Sequence, residues 1–348
     1  MIAAGGTGGH VFPGLAVADY LRAAGWRVVW LGSESGMEAG LVLKRGYDLA
    51  AVKFSGVRGK GPVALLLLPL KLLLAFWQSA RAILAKRPDV VLGMGGYMSF
   101  PGGIMATLLG RPLVVHEQNS VPGLANRVLA AVADRVLCAF PGALKRAVHT
   151  GNPVRPEIVA IAAPDDRYAG RSGPLHLLVI GGSLGAKALN DVVPRSLALI
   201  GREARPVVTH QSGAQHLEAL KRAYAEAGVQ ASTLPFIDDM AKAYSDADLA
   251  VCRAGATTVA ELAAAGVPSL LVPFPYAVDD HQTKNARFLA DAGAAVLVPQ
   301  SELTAERLAE LIAGFDRRRL REMAARARAL GRPDATEAVA QACMELAR

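Results

Sequence analysis

Two glycine-rich turns, each directly after a short apolar run, constrain the fold of this chain more than any other feature. The first turn is GGTGGH at residues 5–10, and the second is GGSLGAK at residues 181–187, after the apolar run 175–180. Glycines at a strand-to-helix turn let backbone N–H groups approach an anion or a sugar, and the helix N-terminus adds a positive dipole end. One such turn is often structural only. Two copies half a chain apart predict two nucleotide-binding α/β domains.

Two common nucleotide-binding patterns are missing from the sequence. The dinucleotide fingerprint GxGxxG fails at both turns, because Val11 and Leu184 stand where it needs glycine. The P-loop pattern GxxxxGK followed by Ser or Thr occurs nowhere in the chain. These absences argue against a dehydrogenase and against a P-loop NTPase.

Length, composition and cysteine usage limit the class of protein. The 348 residues, 52% of them hydrophobic, are enough to bury the cores of two domains. Cys138, Cys252 and Cys343 lie far apart without metal-binding spacing, which predicts reduced thiols inside the core and no metal site. The few residues before the first glycine turn leave no room for a signal peptide, so we expect a cytosolic protein. Because the first strand is so short, we also expect the authentic start to lie several residues upstream.

One basic, leucine-rich segment carries almost all of the net charge of +8. Residues 49–88 contain seven Lys or Arg and no acid. Within them the apolar run 62–77 is too short, and too interrupted by Pro69 and Lys71, to span a bilayer. Leucines ringed by basic side chains predict a surface that enters the interface of an anionic membrane, with a helix buried against a parallel sheet as the alternative. Nucleic acid is disfavoured as a partner, because the basic residues are mixed with leucine rather than with stacking aromatics.

Short apolar runs alternate with helical patterns along the whole chain, as in parallel βαβ units. The predicted strands are residues 27–31, 89–92, 113–116 and 135–137 in the first half and 175–180, 206–209, 249–252, 269–272 and 294–298 in the second. Ligands of such sheets bind beyond the carboxyl ends of the strands. The pattern therefore predicts two doubly wound, Rossmann-like α/β domains that face a cleft.

A stretch with two prolines and a glycine, residues 151–156, is the predicted hinge between the domains. It divides the chain into a first domain, residues 1–155, and a second domain, residues 156–331. The helical pattern of residues 332–348 predicts a terminal helix that packs back on the first domain.

Seven loop motifs resemble those of one enzyme family. In chain order they are GGTGGHVFP, GGYxSxP, HEQNxxPGxxN, GNPVR, GGSxGA, AGATTVAE and DHQTxNA. They make the sequence similar to the MurG family, the transferases that add N-acetylglucosamine (GlcNAc) to lipid I in peptidoglycan synthesis. The resemblance implies a GT-B fold, UDP-GlcNAc as donor, lipid I as acceptor, lipid II as product, and inversion at the anomeric carbon with no metal or cofactor.

The same resemblance implies a division of labour and a location. The first domain would bind the acceptor and the membrane, and the second domain would bind UDP-GlcNAc. The enzyme would lie on the cytoplasmic side of the inner membrane as a peripheral protein on an anionic surface. Proteins of cell-envelope synthesis are candidate partners.

An inverting transfer needs a base that takes the proton of the acceptor hydroxyl. His10, at the end of the first glycine turn, is the leading candidate, since a neutral imidazole accepts a proton near neutral pH. Alternatively, His10 only hydrogen-bonds the donor sugar or a diphosphate oxygen. Glu117 is the competing base, and it could instead orient His10 or bind the acceptor sugar.

The second glycine turn and later loops are expected to bind the donor. Ser183 and the amides around it would contact the diphosphate, while Arg155 would supply positive charge or form an interdomain salt bridge. Glu261 can accept hydrogen bonds from both ribose hydroxyls, and the backbone around Ile237 can read the uracil edge. The further donor-binding positions, several of them implied by the resemblance, are Thr7, Gly8, Gly9, Asn119, Ala256, Thr257, Thr258, Val259, Ala260 and Gln282. For Thr257 and Thr258, simple N-capping is the alternative.

A third glycine-rich loop is expected to bind the acceptor. Gly96, Tyr97 and Ser99 suit the acceptor diphosphate, and Asn126 either binds the acceptor sugar or caps a helix. Two other functions stay open: a related GT-B transferase acting on another lipid such as diacylglycerol, and a nucleotide-sugar-binding protein without catalysis. His10, Glu117 and Gln282 argue against the second, because a pure binder needs no base at the sugar.

Overall fold

The computed structural model describes residues 1–54 and 66–347, which form two compact units. The first unit comprises Met1–Arg155 with Pro333–Arg348, and the second comprises Pro156–Arg332. Each unit is one parallel sheet flanked by helices, so the prediction of two doubly wound α/β domains is confirmed. Arg58, Lys60 and residues 62–65 of the basic, leucine-rich segment lie outside the described residues.

The described part of the first unit contains one sheet of seven parallel strands. They are β1 (Ile2–Ala3), β2 (Val29–Gly32), β3 (Asp48–Ala51), β4 (Val91–Gly93), β5 (Leu113–Glu117), β6 (Arg135–Cys138) and β7 (Val148–His149). Their order is β3-β2-β1-β4-β5-β6-β7, so the carboxyl end of β1 is a topological switch point, where ligands of such sheets bind. The first glycine turn follows β1 directly. Sequence patterns did not predict β3 and β7, because both are short edge strands with mostly exposed or half-buried residues.

Within residues 1–54 and 66–150, five helices of the first unit are described. They are α1 (Gly8–Ala23), α2 (Met37–Lys44), α3 (Leu68–Lys86), α4 (Ser99–Leu108) and α5 (Leu124–Leu129). Alternate strand residues point to opposite faces of the sheet. Ile2 and Leu92 therefore pack in one core with Leu15 of α1, whereas Ala3 and Leu31 pack in another core with α3. Both faces are buried, which explains the near-continuous apolar strands.

The second unit repeats this architecture with six parallel strands. They are β8 (His176–Ile180), β9 (Val207–Gln211), β10 (Ser232–Leu234), β11 (Leu249–Cys252), β12 (Ser269–Leu271) and β13 (Ala295–Leu297). The order β10-β9-β8-β11-β12-β13 makes the carboxyl end of β8 the switch point, and the second glycine turn begins there. The sequence patterns did not predict β10, a three-residue edge strand without a fully buried side chain.

Nine helices of the second unit are described. They are α6 (Pro156–Val159), α7 (Pro164–Tyr168), α8 (Lys187–Leu199), α9 (Leu217–Glu226), α10 (Met240–Asp246), α11 (Ala256–Ala265), α12 (His281–Ala290), α13 (Ala305–Ala313) and α14 (Arg317–Leu330). α8 starts at Lys187, two residues after Gly185 of the second glycine turn. α11 starts at Ala256, after the loop that follows β11. Both helix N-termini therefore lie at the carboxyl edge of the second sheet.

The last helix, α15 (Ala335–Leu346), is part of the first unit. Val339, Ala340 and Cys343 belong to the core that α1 covers, and Thr336 donates a hydrogen bond to the carbonyl of Val154 (3.2 Å). The prediction of unpaired core cysteines is confirmed, since all three are free and buried. Burial raises the pKa of the Cys343 thiol to about 12, so this thiol is unreactive.

Helix α3 exposes a row of leucines together with a tryptophan. Leu70 and Leu73 are each 66% exposed and Trp77 is 58% exposed, whereas Ala75 and Ile83 on the opposite side are buried. The alternative of a buried helix is therefore wrong for this face. The helix begins at Leu68, within the apolar run 62–77, and continues beyond that run to Lys86, for 19 residues. By length and composition alone, it is the one helix in the described part of the chain that could cross a membrane.

Candidate active site

The first glycine turn is held in place by a buried carboxylate that sequence analysis missed. Glu38, in the first turn of α2, is fully buried, and its oxygens accept the N–H groups of Ser33 (3.0 Å) and Gly6 (3.4 Å). A Cβ at Gly5 would lie 2.6 Å from Glu38 Oε1, so the carboxylate occupies the space that glycine leaves. A buried negative charge here opposes a second anion. This turn therefore suits sugar hydroxyls better than a diphosphate.

Replacing the buried carboxylate should loosen the turn. Glu38→Gln puts an NH₂ group or a weaker acceptor against two backbone donors, so we expect the free energy of unfolding to fall by about 1–3 kcal/mol. Urea unfolding followed by circular dichroism measures the change. Glu34→Gln, four residues away and exposed, is the matched control and should change stability by no more than about 0.5 kcal/mol. Equal effects of the two substitutions would contradict the structural role of Glu38.

His10 lies in the first turn of α1 and contacts the loop after β5. Its Nδ1 lies 2.8 Å from Gln118 Oε1. The Gln118 amide nitrogen in turn lies 2.9 Å from His116 Nδ1 and 3.0 Å from the His116 carbonyl oxygen, and His116 Nε2 lies 2.9 Å from the carbonyl of Gly151. Burial lowers the pKa of His116 to about 4, so this histidine is uncharged at neutral pH. His116 and Gln118 stand in the HEQNxxPGxxN motif, but no local sequence pattern predicts a role for either.

Glu117 points into its own loop rather than toward His10. It is 1% exposed and accepts the N–H of Asn119 (2.9 Å), the N–H of Gly123 (3.2 Å) and the Asn126 side-chain amide (2.9 Å). The expectation that Glu117 orients His10 is therefore wrong in this structure, because Gln118 makes that contact. The capping alternative for Asn126 is also wrong, since Gly123 is the N-cap of α5.

The third glycine loop packs against the first glycine turn. Gly96 has φ +79, and a Cβ there would lie 2.0 Å from the carbonyl oxygen of Gly5, so only glycine fits. Tyr97 is half-buried beside Gly6 and stacks edge-on against Phe54. The Ser99 prediction needs correction, because Ser99 is fully buried with its hydroxyl 2.7 Å from the Ala3 carbonyl and 2.6 Å from the Gly95 carbonyl. It ties the loop to β1 and has no free face for an acceptor.

The second glycine turn lines an open cavity of about 610 Å³ in the second unit. Ser183, Thr258 and Gln282 all line it, so the structure brings these three predicted donor residues together. The Gln282 side-chain oxygen is already used, since it accepts the N–H groups of Phe274 (2.9 Å) and Ala254 (3.3 Å). Gln282 therefore holds the loop after β12 in this structure, rather than offering this oxygen to a sugar.

Arg253 is a basic residue of the same cavity that sequence analysis missed. It follows β11 directly, and its guanidinium donates to the carbonyls of Val272 (3.1 Å) and Pro273 (3.2 Å) and to the side chain of Gln300 (2.6 Å). A cation at the end of a central strand is a signal that the sequence carries. Arg253 stands one residue before the AGATTVAE motif and so lies outside it.

Helix α11 presents the first-turn N–H groups of Ala256, Thr257 and Thr258 at the carboxyl edge of the sheet. Gly255 is its N-cap, so the N-capping alternative for the threonines is wrong. The prediction that Val259 binds the donor also needs correction. Its side chain is fully buried, and its N–H donates to the carbonyl of Gly255 (2.9 Å).

Two further predicted donor residues of the second unit lie apart from that cavity's lining. Glu261 is 7% exposed and accepts a hydrogen bond from the hydroxyl of the fully buried Tyr244 (3.2 Å). Ile237 lines a different cavity of about 230 Å³ beside α10, which shares no lining residue with the larger one. The structure therefore does not group Ile237 with Ser183 and Thr258.

The remaining predicted residues belong to the first unit. Thr7 is exposed and precedes α1, whose first turn contains Gly8 and Gly9. Asn119 is half-buried beside Glu117, and Arg155 is the half-buried last residue of the unit before the chain enters the second. Ala260 lies inside α11. Among the described residues, no group of three or more His, Cys, Asp or Glu side chains is arranged to hold a metal ion.

Comparison with known proteins places the chain in a family. Residues 1–138 match the glycosyltransferase family 28 N-terminal domain, and residues 176–341 match the family 28 C-terminal domain. A Nitrosospira multiformis protein is 64% identical over 99% of this chain and 98% of its own, and one from Aromatoleum aromaticum is 65% identical over 100% and 97%. Both are named UDP-N-acetylglucosamine–N-acetylmuramyl-(pentapeptide) pyrophosphoryl-undecaprenol N-acetylglucosamine transferase.

A solved structure agrees with these relatives. The crystal structure of Acinetobacter baumannii MurG is 43% identical in sequence, covers 99% of both chains and superposes with a TM-score of 0.86. The calicheamicin glycosyltransferase CalG4, at 17% identity and a TM-score of 0.67, shares the fold. With relatives above 60% identity over its whole length, this chain is a hexosyltransferase that belongs to glycosyltransferase family 28 and, within it, to the MurG family.

Proposed function

We propose that this protein transfers GlcNAc from UDP-GlcNAc to the 4-hydroxyl of the N-acetylmuramyl sugar of lipid I, which gives lipid II. The observation that carries the proposal is that relatives 60–65% identical over the whole chain are named for this transfer. The chemistry is an inverting displacement. The acceptor oxygen attacks the anomeric carbon, the bond from that carbon to UDP breaks, and the electron pair leaves on a diphosphate oxygen.

The diphosphate is assigned to the second glycine turn. Its open cavity combines backbone N–H groups, the N-terminus of α11 and the guanidinium of Arg253, all of which favour developing negative charge on the leaving group. The first turn differs, because the buried Glu38 carboxylate lies against it. The first turn, with Thr7, Gly8 and Gly9, is therefore assigned to sugar hydroxyls. Glu261, oriented by Tyr244, is assigned to the ribose.

His10 is the base that this geometry favours. The Glu117 carboxylate is buried, and both of its oxygens already accept hydrogen bonds from backbone or amide donors of its own loop. His10 is half-buried, and only its Nδ1 has a hydrogen-bond partner among the described residues. Its other ring nitrogen is left to receive the proton of the acceptor hydroxyl.

The acceptor diphosphate is assigned to the loop of Gly96 and Tyr97, and the lipid tail to the membrane beneath α3. One side of α3 packs on α4 and on the sheet, which suits a helix that lies in the interface rather than one that crosses the bilayer. Arg81 stacks over the Trp77 ring at 5.5 Å, so a basic and an aromatic side chain meet on the exposed face. This arrangement supports a peripheral enzyme on an anionic cytoplasmic membrane surface.

Removing basic residues of α3 should weaken membrane binding. We expect Lys71→Gln combined with Arg81→Gln to reduce binding to anionic phospholipid vesicles by roughly 10- to 30-fold, at about 1 kcal/mol per charge. Sedimentation with vesicles of phosphatidylglycerol measures it. The matched control is Lys221→Gln with Arg222→Gln, which removes two exposed charges from α9 of the second unit. Equal losses in both variants would show that overall charge, not α3, drives binding.

The transfer itself is tested with purified protein, UDP-GlcNAc and a lipid I analogue. We expect release of UDP with formation of the disaccharide product, and slow reaction when UDP-glucose replaces the donor. Mass spectrometry of the product and a coupled assay for UDP make the measurement. UDP release that is equally fast with diacylglycerol would overturn the acceptor assignment.

A further inference from the structure

We infer that Gln118 and His116 are positioning residues that hold His10 in the tautomer protonated at Nδ1, so that Nε2 is the proton-accepting atom. The part of this inference that concerns turnover rests on the proposed function. The part that concerns the tautomer is a property of the free protein. The two parts can therefore fail separately.

The orientation of the Gln118 amide follows from a contact with the backbone. Its nitrogen lies 3.0 Å from the carbonyl oxygen of His116, an atom that can only accept a hydrogen bond. The NH₂ group must therefore face that carbonyl, which puts the amide oxygen at the His10 ring. That oxygen lies 2.8 Å from His10 Nδ1 and can only accept, so Nδ1 must carry a proton.

The next residue along the chain of hydrogen bonds fixes the amide a second time. His116 Nε2 lies 2.9 Å from the carbonyl of Gly151 and must donate to it. His116 is fully buried and uncharged, so its Nδ1 carries a lone pair. This lone pair accepts the second N–H of Gln118 at 2.9 Å. The chain of donors thus runs from His116 to Gly151, from Gln118 to His116 and from His10 to Gln118, with every proton assigned.

The His10 ring is also held against movement. A Cβ at Gly95 would lie 2.9 Å from both Cε1 and Nδ1 of the ring, and one at Gly96 would lie 3.4 Å from Cδ2. The two glycines therefore let the third glycine loop pack on the imidazole. The ring is left with a single free polar atom, Nε2, which has no partner in residues 1–54 and 66–347.

The Gln118 amide and a carboxylate in the same place would have different effects on the protonation of His10. A carboxylate beside Nδ1 would favour the charged imidazolium, whereas the neutral Gln118 oxygen fixes the tautomer without adding a charge. No carboxylate of the described residues lies within hydrogen-bond distance of the His10 ring. The Gln118 contact therefore orients the base without adding a charge, and losing it should lower the rate of proton transfer rather than the affinity for the donor.

The tautomer is measured by ¹⁵N NMR of the full-length protein labelled at histidine, with the His10 signals identified by their loss in His10→Gln. We expect the wild-type ring at pH 7.5 to show a protonated Nδ1 and an unprotonated Nε2. Gln118→Met keeps the side-chain length but replaces the amide by a thioether, which is only a weak acceptor, so a protonated Nε2 should appear. Gln118→Glu keeps an oxygen at the ring and should retain the protonated Nδ1.

The same variants are then assayed with UDP-GlcNAc and the lipid I analogue. For Gln118→Met we expect kcat to fall about 10- to 100-fold with the KM for UDP-GlcNAc changed less than about twofold. A wild-type ring protonated at Nε2, or an unchanged kcat in Gln118→Met, would overturn the inference. Absence of UDP release by the wild-type enzyme would overturn the proposed function instead, and the tautomer would still be read from the spectrum.

Discussion

His10→Ala is expected to lower kcat by about 100- to 10,000-fold, the range that a positioned general base contributes. The imidazole has a fixed ring and one nitrogen without a hydrogen-bond partner among the described residues, whereas the competing Glu117 carboxylate is buried in its own loop. The affinity for UDP should stay nearly unchanged, because the proposed diphosphate cavity is built from second-unit residues alone. Steady-state kinetics and calorimetric titration with UDP measure the two quantities.

A second substitution separates a base from a hydrogen-bonding residue. His10→Gln keeps a side chain that can hydrogen-bond a sugar but cannot take up a proton at neutral pH. If His10 is the base, the Gln and Ala variants should lose similar amounts of kcat, and added imidazole should restore part of the rate of the Ala variant. If His10 only binds the donor sugar, His10→Gln should keep most of its kcat while the KM for UDP-GlcNAc rises in His10→Ala.

The main architecture could be predicted from the sequence because it depends on local signals. All nine predicted strands overlap an observed strand, with ends that differ by no more than a few residues. Each glycine turn follows a central strand at a switch point, as the apolar run before it indicated. The missed strands are short and lie at sheet edges, where one neighbour and partial exposure leave no run of apolar residues to detect.

The site was less predictable because its contacts join residues distant in sequence. His10 and Gln118 are separated by 108 residues, and Glu38 lies 32 residues from Gly6, so no local pattern could pair them. The burial of individual polar side chains could not be predicted from the sequence either. Ser99 looked like a ligand-binding hydroxyl because it follows a glycine pair, yet it bonds two backbone carbonyls inside the core.

Gly185→Ala is expected to damage the proposed donor site more than any other glycine-to-alanine substitution in the second glycine turn. Gly185 has φ +77, and an added Cβ would lie 1.8 Å from the carbonyl oxygen of Ser212, so the two backbones must separate. Gly213 mirrors it, since a Cβ there would lie 2.2 Å from the Leu184 carbonyl. We expect the free energy of unfolding to fall by about 2–5 kcal/mol, from the combined strain and overpacking. UDP affinity should fall tenfold or more, because the turn that lines the cavity has to move.

The matched control is Gly182→Ala, three residues earlier in the same turn. Gly182 has φ +83, a similar backbone conformation, but a Cβ there would meet nothing within 4 Å. Its substitution should therefore lower stability by only about 1–2 kcal/mol, the strain of a left-handed conformation without a clash. Urea unfolding and calorimetric titration with UDP on both variants isolate the effect of the Gly185–Ser212 contact. If the two variants lose equal stability and equal UDP affinity, the close backbone approach has no role in shaping the cavity, and backbone conformation alone explains both glycines.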